Sequence, residues 1–124
     1  MIQDAHRVVT VLSSRSPDIG RMLWAIEDAR HRTLSALNDI PPAVIDWVPG
    51  PDQNTIGTLL YHVAAIEASW LYEDVLQAGF VAPLDTLLPF DVRDADDRLT
   101  RVMGLALEHH LNRLSVVRGL LLET

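Results

Sequence analysis

Residues 54–76 read NTIGTLLYHVAAIEASWLYEDVL, and the spacing predicts one long helix. Asn54 or Thr55 can cap it, because a short side-chain oxygen accepts a bond from an amide of the first turn that the helix itself leaves unpaired. Apolar residues recur three and four apart at Ile56, Leu59, Leu60, Val63, Ile66, Trp70 and Leu71, which lines them along one face to be buried. At about 100° per residue, Glu67 falls near the centre of that face and His62 at its margin beside Ile66. A buried carboxylate needs a partner.

Upstream, Ser16-Pro17-Asp18 reads as a helix start. Ser16 caps, Pro17 suits the first helical position, and Asp18 favours the positive end of the helix dipole. This helix is expected to run to about Asn38, with Ile19, Met22, Leu23, Ile26, Leu34 and Leu37 as its apolar line and Arg30 in the middle of it. Glu27 and His31 lie four apart on a flank and could share a metal, but exposed pairs at this spacing are common on helix surfaces, which disfavours a site there. Residues 1–15 are expected to be an N-terminal arm without an assigned structure, with His6 as a surface residue, since the β-branched run Val8–Val11 weakens a helical pattern there. Pro41-Pro42 stop the first helix. Trp47, in the long connection from Asp39 to Gln53, is expected to anchor that loop by burying its ring.

Downstream, Pro83 and Pro89 bracket a short turn at Leu84–Leu88. Asp94 or Asp96 is expected to cap a third long helix that carries Leu99, Val102, Met103, Ala106, Leu114, Val117 and Leu121 inward. His110 shares that line, and His109 points outward. Each helix thus has one ionisable residue on its inner face, and Arg30, Glu67 and His110 are expected to form a buried polar network, the Arg30 fork donating to Glu67. The same inner faces make His62, Glu67 and His110 the candidate donors for a divalent metal, zinc, nickel or iron. Their periodicity opposes it: His62 and Glu67, five residues apart, point about 140° away from each other.

At 124 residues the chain is long enough for one domain with its own core, assigned here to residues 16–124. There is no cysteine, which removes disulfides, thiolate metal sites and a thiol nucleophile. A net charge of −7 with scattered basic residues argues against nucleic acid as a partner. No run is apolar enough for a membrane span, so a cytoplasmic location is expected. The fold class is an all-α antiparallel helical bundle of three long helices with a missing or atypical fourth. Three amphipathic helices leave a groove, which predicts a homodimer or docking of the N-terminal arm.

The loop IDWVPGPDQNTIG, the helix segment LLYHVAAIEASWL and, more loosely, RDADDRLTRV together resemble the DinB superfamily of helical-bundle proteins. The resemblance rests on Trp47, Pro49, Ile56, Gly57, His62, Glu67 and Trp70 in one order and spacing, and spans roughly residues 18 to 122. It implies four long helices and, in many members, a divalent metal held by three side chains. It further implies activity as a thiol-linked transferase, isomerase or hydrolase on a small-molecule or thiol substrate. His62 matches the first ligand. The other two would come from a His-x-x-x-His segment running into Arg-Gly-Gln, and no such His pair is present. Placing His110 on the final His puts Ala106 at the other position, so the triad is incomplete. Two functional readings follow: a DinB-like metal-dependent transferase or hydrolase completed by donors from outside this stretch, or a non-catalytic bundle that acts by self-association or binding.

Overall fold

The computed structural model describes residues 16–123, which divide into two compact units between Ile40 and Pro41. The described residues are all-α, with three long helices, one short one and no strand. No described helix is long and apolar enough to cross a membrane. The arm at 1–15, with His6, lies outside the described residues.

The first unit contains α1, Pro17–Leu37. Ser16 caps it as its sequence predicts: its hydroxyl accepts from the Ile19 amide at 3.2 Å. The helix ends where Asp39 turns to φ 61° ahead of Pro41-Pro42, which cannot continue the ladder. Arg30 and His31 both lie on this helix.

The second unit is built on α2, Ile56–Ser69, and α4, Leu107–Glu123, which pack along each other. Thr55 is the cap of α2, its hydroxyl accepting from the Thr58 amide at 3.0 Å. The last turns of the expected helix widen into a π-helix, Trp70–Val75, in which the Leu76 amide donates to the Leu71 carbonyl at 2.9 Å. The short helix α3, Leu84–Leu87, sits between the two prolines that predict it.

Three sequence expectations change here. First, α2 and the π-helix that continues it bury Tyr61, His62, Ala64, Ala65, Ala68 and Leu71, while Leu59, Val63, Ile66 and Trp70 are exposed. The helix is apolar nearly all round, so periodicity alone could not choose a face. The small side chains Ala64, Ala65 and Ala68 make the side that lets α4 come close.

Second, Trp47 is 61% exposed, and Ile45, at 2%, anchors the loop instead. Ile45 also accepts the Gly57 amide at its carbonyl, at 3.0 Å, which ties the loop to the start of α2.

Third, the third long helix begins at Leu107 and not near Asp94. The Asp94 carboxylate accepts from the Asp96 and Arg98 amides at 2.9 and 3.1 Å and closes a tight turn, a local bond that competes with helix. Gly104 then stands at φ +79°, outside helical geometry. Between them, residues 99–103 run as an extended strap beside α2. Val102 is buried in this strap, its amide donating to Thr58 Oγ1 at 3.0 Å.

Candidate functional site

The inward stripe of α4 is His110, Arg113, Leu114 and Val117, spaced at i, i+3, i+4 and i+7 as one helical face requires. It meets the small-residue face of α2, and the polar centre of the second unit lies on this seam. His110 is fully buried. Gly57 makes that possible: a Cβ there would stand 3.0 Å from His110 Nε2 and 3.3 Å from Ile45 Cγ2.

Arg113 Nη1 lies 3.0 Å from His110 Nδ1. A guanidinium can only donate, so Nδ1 accepts and the ring proton resides on Nε2. Burial, then the positive charge of Arg113, holds the His110 pKa below the ordinary histidine value, with Asp46 pulling it upward and His109 adding a further small depression. His110 is therefore neutral at pH 7, and its Nε2 has no hydrogen-bond partner among the described residues.

Arg113 is 5% exposed. Its Nε donates to the Leu87 carbonyl at 2.9 Å, and its guanidinium carbon sits 4.7 Å from the centre of the Tyr61 ring, a cation–π arrangement. Burial lowers its pKa, but a guanidinium stays charged at neutral pH. The Tyr61 hydroxyl accepts from the Phe90 amide at 2.9 Å and donates to the Phe90 carbonyl at 3.3 Å. Burial is the main cause that raises the Tyr61 pKa, which keeps the phenol protonated. No carboxylate pairs with Arg113 among the described residues. A cavity of about 260 Å³ opens beside it, walled by Leu87, Pro89, Phe90 and Leu105, with Thr86, His109 and Asn112 at its edge.

Two further sequence candidates, His62 and Glu67, lie on α2. His62 is buried, and its Nε2 lies 2.8 Å from the Thr100 carbonyl. A carbonyl only accepts, so Nε2 donates, and Nδ1 makes no hydrogen bond among the described residues. Glu67 accepts from Arg118 Nε at 2.5 Å, with side chains 15% and 13% exposed. The structure thus brings Glu67 to Arg118 and His110 to Arg113, both from α4; Arg30 lies on α1. His109 is exposed.

As metal donors His62, Glu67 and His110 fit poorly. The His110 lone pair is taken by Arg113, and Glu67 is engaged by a guanidinium. Among the described residues no group of three His, Asp or Glu is placed to hold an ion. Sequence reading missed Arg113, Arg118 and Thr100. Arg113 alone left a signal, as the charged member of the stripe that continues from His110.

A buried arginine and two buried histidines between packed helices define an all-α protein with a polar interior seam. A family model of the DinB superfamily matches residues 25–124, and the chain belongs to that superfamily. No curated protein and no solved structure was found to match it.

Proposed function

We propose that this chain is a DinB-like domain in which the Arg113 guanidinium stands at the centre that a divalent ion holds in metal-bearing relatives, and that it acts by binding rather than by metal-dependent chemistry. The observation that carries the reading is the bond from Arg113 to His110 Nδ1, 3.0 Å long, with the guanidinium over Tyr61. It fills the seam with fixed positive charge and occupies the one free lone pair on that imidazole. The sequence supports the same register. The resemblance places two ligands on a His-x-x-x-His segment that runs into Arg-Gly, and α4 carries Arg118-Gly119, so Arg113 and Val117 stand where those two histidines would be. Both are buried. The net charge of −7 supports a partner other than nucleic acid, and the exposed row Leu59, Val63, Ile66 and Trp70 supports homodimerisation through this face.

A second reading is a metal-dependent thiol-linked transferase or hydrolase with His62 as a ligand, the other donors coming from outside the described residues. One observation favours it: an imidazole whose N–H is held by a carbonyl, as His62 is by Thr100, is the arrangement that orients the opposite nitrogen for a metal. Elemental analysis of untagged protein, with melting curves in added zinc, nickel and iron, separates the two. Protein free of bound metal, with no rise in Tm, is expected. About one ion per chain, lost in His62→Ala, would overturn the proposal in favour of the second reading.

A further inference from the structure

Arg113 is the most heavily buried charged group among the described residues without an opposite charge beside it. Of its five N–H groups, one donates to Leu87 and one to His110. Nη2 makes no hydrogen bond to any described residue. The face of Tyr61 compensates the charge only in part, since a buried cation is ordinarily paired. The cavity beside it is lined by Leu87, Pro89, Phe90 and Leu105 together with Thr86, His109 and Asn112, and Arg113 supplies its permanent cation.

We infer that this cavity is the binding site of a small monocarboxylate with an apolar tail, its carboxylate on the Arg113 guanidinium and its tail against Leu87, Phe90 and Leu105. Three physical arguments select that ligand. A planar carboxylate matches the guanidinium fork. One negative charge balances the one buried cation, whereas a phosphate dianion would leave one charge without a counterpart. A volume of about 260 Å³ leaves room for a compact ligand such as benzoate. The inference deepens the proposed function and rests on it in one respect, that Arg113 and not a metal supplies the positive charge.

The test is a titration of the full chain with sodium benzoate, followed by calorimetry and by amide shifts in NMR, run in parallel with and without EDTA. Saturable one-to-one binding is expected, with shifts at Leu87, Phe90 and Leu105. Benzyl alcohol and inorganic phosphate are expected not to compete. Arg113→Lys keeps the charge and loses the fork, so affinity should fall about tenfold. Because changes at Arg113 can disturb folding, Leu105→Trp serves as a second variant that fills the cavity and leaves the guanidinium in place. It should abolish binding while the far-UV spectrum is unchanged. Absence of binding at about 10 mM benzoate, equal binding of benzyl alcohol or phosphate, or full affinity in Leu105→Trp would each overturn the inference. Binding that appears only without EDTA would overturn both it and the proposed function, because the carboxylate would then sit on a metal. Failure to bind in protein free of metal would overturn the inference alone.

Discussion

Gly57→Ala tests the packing of the seam with a single methyl group. Replacing glycine by alanine inside a helix ordinarily stabilises by about 0.5 to 1 kcal/mol. Here the added Cβ would meet His110 Nε2 at 3.0 Å, Ile45 Cγ2 at 3.3 Å and His110 Cε1 at 3.4 Å. Neither neighbour can easily retreat. His110 is fully buried and bound through Nδ1 to Arg113, and Ile45 belongs to the loop whose carbonyl takes the Gly57 amide. Overpacking of this kind costs about 1 to 3 kcal/mol, so the net result should be a loss of about 1 kcal/mol. Gly119 supplies the internal control, since it lies in α4 with nothing within 4 Å of its added Cβ. Gly119→Ala should gain stability, by about 0.5 kcal/mol that near the end of a helix. Urea denaturation followed by circular dichroism measures both. The reasoning is refuted if Gly57→Ala is as stable as the parent protein, because the approach of His110 to the α2 backbone would then not be tight.

The remaining predictions concern charge. Glu67→Gln leaves Arg118 largely buried with its partner neutralised, and should cost about 2 kcal/mol, against less than about 0.5 kcal/mol for Asp18→Asn on the exposed pair with Arg21; a double-mutant cycle with Arg118→Met should return a coupling energy well above experimental error. For His110 the folded pKa lies below the unfolded one, so the unfolded chain takes up the proton first as pH falls. Its contribution to stability is therefore complete above the unfolded value of about 6.5 and is lost as pH falls from there through the folded pKa, with a slope of at most about 1.4 kcal/mol per pH unit. Unfolding curves between pH 8 and pH 5 should show this loss, and His110→Gln should remove that share of the slope; an unchanged slope would mean that His110 does not titrate differently in the folded state.

What the sequence made legible was mostly local. Ser16-Pro17-Asp18 and Thr55 mark helix starts through bonds a residue makes within its own first turn, and the prolines at 83 and 89 bracket α3 because a residue without an amide donor cannot continue a helix. The inner placement of His110, Leu114 and Val117 was equally readable, as was the outward turn of His109. The errors arose where a local competitor or a distant neighbour decided the outcome. Leu99, Val102 and Met103 have helical spacing, but the Asp94 side chain closes a turn and Gly104 breaks helical geometry, so that spacing describes a strap. The buried side of α2 depends on where α4 comes near, and a helix apolar all round carries no mark of that. The candidate site shows the same division: His62, Glu67 and His110 were identifiable as inward polar groups. Two of the partners, Thr100 at 38 residues' separation and Arg118 at 51, are set only by tertiary register. Arg113 lies three residues from His110 and was within reach of the helical count.

The strap alongside α2 changes how the second unit comes apart. Phe90 and Val102 lie outside every helix, yet their amides are held by the Tyr61 and Thr58 hydroxyls, and Thr100 is held by His62. These three attachments fall on side chains of the first two turns of α2, so the irregular segment from Phe90 to Val102 cannot detach without exposing the buried face of that helix. Its amide protons at Phe90 and Val102 should exchange with solvent at the slow rate of α2 itself rather than at the fast rate of a surface loop. Strap and helix then open together, as one cooperative element whose boundary follows hydrogen bonds to side chains and not the limits of regular backbone.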